Sequence, residues 1–248
     1  MGPISVSLGT SGVVFAHVER FHPDPSGRVH AFCHAVPGKY HLMAVTLAAG
    51  GALRWWRDTL GTADYARLTA EAATVPPGAE GLLFLPHLTG ERTPHLDPTA
   101  RGAFVGLTAR HTAAHLTRAV LEGVVFSLHD GLTIIRDLGV PVREVRAIGG
   151  GARSALWRQL QADIFGLPVR RVVAEEGPAY GAALLAGVAA GVWRDVAEAA
   201  ALVRLRDETT EPDPVHTRRY GEYAATYRAL YPALHGAMGA LTSLAASG

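Results

Sequence analysis

Val145-Arg146-Ala147-Ile148-Gly149-Gly150-Gly151-Ala152-Arg153-Ser154 is the stretch from which the rest of this chain can be read. An apolar alternation runs into three glycines, and Trp157, Leu160 and Ile164 follow at helical spacing. The pattern predicts a strand, a tight turn and a helix over Ala155 to Phe165. Glycine lets backbone N–H groups approach a ligand with no Cβ in the way, and the first turn of a helix carries unsatisfied donors at the positive end of its dipole. Such a turn suits a phosphate or a nucleoside. Two other readings stay open at this point. Glycines between a strand and a helix can be a plain tight connection. Gly149-x-Gly151-x-x-Ser154 also approaches the dinucleotide fingerprint, with Glu175 and Glu176 ending the next apolar run where a ribose-binding acid would sit.

Downstream, Pro168 to Ala174 reads as a strand and Pro178 to Val192 as a small-residue helix, so the region repeats strand and helix as a parallel crossover does. Gly181, Ala182, Ala183 and Ala186 predict close packing of that helix against a neighbour. Asp207 to Pro214 reads as a polar connection, and the final helix carries Tyr220, Tyr223, Tyr227 and Leu230 on one docking face.

Upstream, Ile4 to Phe15 predicts two strands joined by a hairpin at Gly9-Thr10-Ser11-Gly12, a turn whose N–H and O–H donors could face phosphate oxygens or serve an ordinary reversal. Val29 to Val36 is a third strand of the meander. His34 and Cys33 within it point to opposite faces and cannot act on each other. Met43 to Leu60 reads as a helix interrupted at Gly50-Gly51, with Trp55 and Trp56 available for packing or for a ligand face; Asp64 to Thr74 reads as a short helix. After a buried strand at Gly81 to Leu85, the charged loop through Gly90-Glu91-Arg92-Thr93-Pro94 either crosslinks a turn or lines a cleft. Arg101 to Leu107 is another strand. His111 to Leu138 is a core helix, where His111 and His115 lack the other members of a zinc site and read as surface or capping residues.

The chain has 248 residues, of which 48% are hydrophobic and 18% charged, enough for one large domain or two small ones. A formal net charge of +1 gives no electrostatic argument for nucleic acid or an anionic membrane, so a small-molecule ligand is expected. The single cysteine, Cys33, excludes an internal disulfide and fits a cytoplasmic setting. No signal peptide is apparent, Val6 stands where a myristoylation motif needs Ser or Thr, and the run Gly181 to Trp193 is too short to span a bilayer. Lys39 is the only lysine, so a P-loop lysine is excluded.

Six blocks, in order, resemble the FGGY family of carbohydrate kinases and within it the xylulokinases: Leu8-Gly9-Thr10-Ser11-Gly12; Phe32-Cys33-His34-Ala35; Gly90-Glu91-Arg92-Thr93-Pro94; Gly102 to Leu107 with His115-Leu116 and Ala119 to Glu122; Gly149 to Ser154; and Glu176-Gly177-Pro178-Ala179-Tyr180-Gly181-Ala182-Ala183. The resemblance replaces the dinucleotide reading. It implies an α/β, actin-like ATPase domain of the ribonuclease H type, a mixed sheet flanked by helices. It further implies ATP and Mg²⁺, with Gly9, Thr10 and Ser11 near the phosphates and Gly149, Gly150, Gly151 and Ser154 near the nucleoside, and xylulose or a related ketose as the phosphoryl acceptor. In the family the catalytic aspartate lies in a Gly-Asp-Asn-type segment ahead of the Ser-Leu-Gly-Thr-Ser-Gly strand, whereas this chain opens at Met1-Gly2-Pro3-Ile4. Residues 1–248 are therefore expected to be the C-terminal nucleotide-binding half, with no catalytic residue and no metal ligand of its own. Its partner would be an N-terminal sugar-binding domain, or a second copy in a homodimer. Glu91 and Asp97 are carboxylates in a loop, with no pattern marking either as a base.

Overall fold

The computed structural model describes residues 2–61, 64–174 and 177–247. The first half of the sheet is an antiparallel meander: β1 (Ile4–Leu8) turns into β2 (Gly12–Val18), and β3 (His30–Cys33) pairs with β4 (Tyr40–Thr46), which pairs with β2. Helices α1 (Gly50–Thr59) and α2 (Tyr65–Ala73) follow, then the two-stranded pair β5 (Leu83–Leu85) and β6 (Ala103–Val105), and the long helix α3 (Ala113–Asp137). The second half alternates β7 (Val145–Ile148), α4 (Ala155–Phe165), β8 (Val169–Val172), α5 (Pro178–Ala189), α6 (Val196–Ala200), β9 (Leu205–Thr210) and α7 (Pro214–Ala246). The seven-stranded sheet runs β3-β4-β2-β1-β7-β8-β9, with β1, β7 and β8 mutually parallel and both flanks antiparallel.

Alternation decides which face is core. Ile4, Val6 and Leu8 of β1, Val14 and Ala16 of β2, Leu42 and Ala44 of β4, and Val145 and Ala147 of β7 are all buried. Onto this face α3 packs across β2 and β4, and α4 across β8 and β9. Val120, Val124, Leu128, Leu132 and Ile135 form the stripe that α3 buries. Gly123 lets α3 lie directly on β5, since a Cβ there would sit 2.1 Å from the carbonyl oxygen of Phe84. Buried within this core, Arg118 Nε donates to Glu122 Oε1 at 2.6 Å, as does the Tyr220 hydroxyl of α7 at 2.6 Å. Burial pushes the Glu122 carboxyl up, opposed by the adjacent Arg118 guanidinium.

The mixed sheet flanked by helices is the expected arrangement, and α4 has the predicted bounds. Three expectations are corrected. The helix expected over Met43 to Leu60 is a strand followed by a helix: Leu42, Ala44 and Thr46 alternate inward in β4, and α1 starts at Gly50. Gly50-Gly51 open α1 where the helix meets another backbone and do not interrupt it. The first half of the connection expected over Asp207 to Pro214 belongs to β9, an exposed edge strand whose polar residues gave no apolar alternation to detect. The close packing expected of Gly181, Ala182, Ala183 and Ala186 is not found; α5 packs on α6, and none of its residues is buried.

Candidate functional site

Parallel pairing of β1 with β7, from Ile4 opposite Val145 to Ser7 opposite Ile148, brings the turns leaving these strands to the same edge of the sheet. The first turn closes with Gly9 N–H donating to Ser11 C=O at 3.0 Å. Its outer carbonyls are taken by the start of α1: Gly50 N–H donates to Gly9 O at 2.8 Å, and Ala49 and Gly51 N–H both donate to Thr10 O at 2.9 Å. Donors that a helix N-terminus normally leaves unsatisfied thereby hold the turn. The approach requires glycine, since a Cβ at Gly50 would lie 2.5 Å from Gly9 O and one at Gly51 2.9 Å from Thr10 O. A trans peptide points its N–H opposite its C=O, so the N–H groups of Thr10 and Ser11 face away from α1. No acceptor among the described residues takes either of them.

The second turn is pressed onto the end of β1. Gly149 has φ +82 and ψ 177, a conformation reserved for glycine, and a Cβ on it would meet Leu8 O at 2.8 Å. A Cβ on Gly151 would meet Leu8 Cβ at 2.6 Å and Trp157 Cε3 at 3.0 Å. Gly150 faces open space. One 3₁₀ turn follows, over Gly150–Arg153, and Ser154 then caps α4 by accepting the Trp157 N–H at 3.3 Å. The buried Arg158 guanidinium fastens this turn by donating to the carbonyls of Ala152 at 2.9 Å and Arg153 at 3.1 Å.

Between the two turns lies an open cleft of 620 Å³. Gly9, Thr10, Gly150, Gly151 and Ser154 line it, five of the seven residues expected at a nucleotide site. Ser11 and Gly149 do not. Ser11 is half-buried in its turn, and Gly149 borders a separate 40 Å³ recess that shares Gly150 and Arg153 with the cleft. The remaining walls are Leu8, Gly50, Leu53, Arg54, Tyr65, Ala66, Thr69, Arg153 and Trp157. Arg54, Tyr65 and Thr69 had no signature in the sequence, because helical periodicity located α1 and α2 without saying which face would overhang the glycine turns. Among the described residues the lining holds two arginines and no Asp, Glu, His or Cys. It can therefore hold an anion beside a flat apolar group over Leu53 and Trp157.

The other sequence candidates lie outside the cleft. Glu91 is 2% exposed and crosslinks the chain, accepting from Leu47 N–H at 2.9 Å, Arg92 N–H at 2.8 Å and Thr46 Oγ1 at 2.6 Å. Asp97 accepts from the Thr99 N–H and hydroxyl, both at 2.7 Å, and from the Tyr231 hydroxyl at 2.7 Å. His115 Nδ1 accepts from the Thr112 N–H at 3.3 Å at the head of α3, and His111 Nδ1 accepts from the Thr108 N–H at 3.0 Å, so both cap backbone. Trp55 stacks on Phe84 and Trp56 donates to Thr117 Oγ1 at 2.9 Å, both serving packing. Cys33 is exposed. Glu175 and Glu176 lie outside the described residues, among which no three His, Cys, Asp or Glu side chains assemble as metal ligands. No helix among them is long and apolar enough to cross a membrane.

Residues 4–190 match the family model described as the FGGY family of carbohydrate kinases, C-terminal domain. The chain is 43% identical to the xylulose kinase of Escherichia coli (strain K12) over 230 residues, 92% of this chain and 47% of that protein. A ligand-bound xylulose kinase structure from Lactobacillus acidophilus superposes with a TM-score of 0.88 at 30% identity, over 96% of this chain and 48% of that one. A gluconate kinase structure from the same organism gives 0.87 at 31% identity, over 96% and 48%. The chain thus spans about half the length of the curated relatives it matches. With the glycine turns, their order and the actin-like sheet in agreement over three quarters of its length, this chain belongs to the FGGY family of carbohydrate kinases.

Proposed function

We propose that the chain is the nucleotide-binding half of a xylulokinase-type sugar kinase. Completed by a sugar-binding N-terminal half, it would transfer the γ-phosphoryl group of ATP to D-xylulose, giving xylulose 5-phosphate. The observation that carries this is the pair of glycine turns at the ends of β1 and β7, facing one cleft with arginine and backbone donors. Thr10 and Ser11 N–H groups would receive phosphate oxygens at the first turn. Gly150, Gly151 and Ser154 would flank the nucleoside, with Gly149 acting by allowing the second turn to close on Leu8. Mg²⁺ would neutralise charge on the triphosphate when bound, and the work of these residues is to bind and orient. Similarity to a gluconate kinase structure favours a second sugar reading, a half of another FGGY kinase. A cytoplasmic setting is supported by the lone free cysteine.

Thermal denaturation with and without MgATP tests the nucleotide site: the wild-type chain should be stabilised, and Gly151→Asp, whose side chain would enter the space of Leu8 and Trp157, should not be. Equal protection of both would move the site elsewhere. Adding the N-terminal half of a related xylulokinase should restore ADP release dependent on xylulose and not on gluconate. Release with gluconate alone would select the second reading, and none with either would leave a non-catalytic nucleotide-binding domain.

A further inference from the structure

Thr46 and Leu47 sit between a buried carboxylate and the first glycine turn. Thr46 is the register partner of Gly12, so the end of β4 bounds the turn on one side. Two residues on, the amides of Ala49, Gly50 and Gly51 hold Gly9 and Thr10 from the other, at 2.8 and 2.9 Å. What fixes this segment is the 91–93 loop. Glu91 Oε1 takes Leu47 N–H at 2.9 Å and its own neighbour's N–H, on Arg92, at 2.8 Å. Glu91 Oε2 takes the Thr46 hydroxyl at 2.6 Å, and the His87 Nδ1 atom lies 3.0 Å from it. Thr93 extends the tie, donating its N–H to Val45 O at 2.9 Å and accepting Val45 N–H at 3.0 Å.

We propose that Glu91 is a positioning residue for nucleotide binding, which it serves through the β4–α1 junction without touching the ligand; this rests on the nucleotide reading of the cleft. A carboxylate that is 2% exposed and met by several donors cannot reach a ligand. It can hold a backbone corner, because a partly buried N–H that loses its acceptor costs free energy. Without Oε1 the Leu47 amide loses its acceptor, the junction relaxes, and the α1 amides no longer meet Gly9 and Thr10. The N–H of Thr10, which lines the cleft, loses its aim as a result. Glutamine should substitute, since its oxygen can keep both backbone donors while its amide faces Thr46 and His87, each of which can accept a hydrogen bond.

The test uses the 248-residue chain and two readouts, MgADP affinity by calorimetry well below each melting temperature, and amide hydrogen exchange at Ala49, Gly50 and Gly51. Glu91→Leu should bind at least about ten-fold more weakly and exchange faster at these amides, while Glu91→Gln should stay within about three-fold. Asp163→Asn is the control for stability alone; Asp163 is buried under the start of α7, accepting the Asp213 N–H at 2.8 Å, and does not line the cleft. It should lower the melting temperature without changing affinity or exchange at α1. If Glu91→Leu does not fold, Thr46→Val removes one limb and should give a smaller loss, about three-fold. Unchanged exchange and affinity in a folded Glu91→Leu, or an equal loss in Asp163→Asn, would overturn the positioning role. Wild-type protein that fails to bind MgADP would overturn the nucleotide reading and the inference resting on it, whereas the exchange data report on the brace separately.

Discussion

Gly149 and Gly150 are neighbours with different reasons to be glycine. Gly149 has φ +82 and no room, its Cβ direction filled by Leu8 O at 2.8 Å, whereas a Cβ on Gly150, which lines both the cleft and the recess, would meet nothing within 4 Å. Gly149→Ala should therefore cost stability, about 2 kcal/mol or more, by combining backbone strain with a clash against β1. Gly150→Ala should hold stability to within about 0.5 kcal/mol while weakening nucleotide binding several-fold, because its methyl group enters the ligand's space. Urea denaturation and calorimetric titration with MgADP on the two variants separate these effects. Similar stability losses for both would mean that the turn is more constrained at Gly150 than its surroundings indicate.

Between β2 and β3 the chain is held by Asp24. The Arg28 guanidinium donates to it at 2.9 Å, with the Arg28 N–H adding a bond of 2.8 Å, and together they hold the Asp24 carboxyl down to about 2. Its ordinary value is 3.8, so the folded pKa is depressed. The stability this contributes is present in full above about pH 4 and lost as pH falls toward 2. Arg28 is 39% exposed, and solvent screening reduces the expected contribution to about 1 kcal/mol. Asp24→Asn should remove that part of the acid slope while leaving the shape of the profile at pH 5 to 8 unchanged, as followed by denaturant midpoints across pH. An unchanged slope between pH 4 and 2 would assign acid sensitivity to other carboxylates.

At the scale of the whole molecule, α5 contributes no side chain to the core. Its sequence, Pro178-Ala-Tyr-Gly-Ala-Ala-Leu-Leu-Ala-Gly-Val-Ala189, has no charge and no buried residue, and Leu185 is 40% exposed. Apolar surface of this kind favours association. The chain by itself is expected to self-associate at micromolar concentration, and Leu185→Glu to shift it toward monomer with little change in melting temperature, since the side chain is half in solvent already. Sedimentation velocity decides. An unaltered distribution in the variant would exclude α5 as the source.

How much was legible in advance divides along one physical line. Local pattern was enough for the three glycines after Ile148, the donor-rich turn after Leu8, the core helix α3 and the bounds of α4, because period, turn chemistry and capping are properties of neighbouring residues. The ordered blocks added the family and its sheet. What stayed hidden was set by partners distant in the chain. Leu42 to Thr46 is a strand because β2 pairs with it, although its apolar residues also suit a helix. Leu205 to Thr210 is a strand because β8 offers an edge. Arg54, Tyr65 and Thr69 face the cleft because α1 is anchored on the carbonyls of Gly9 and Thr10. Glu91 could be read as crosslink or cleft residue until Thr46, Leu47 and His87 closed around it. The sequence by itself determined the turns and the family; only the tertiary structure decided which backbone corner each buried polar group would satisfy, because that depends on contacts between residues tens of positions apart.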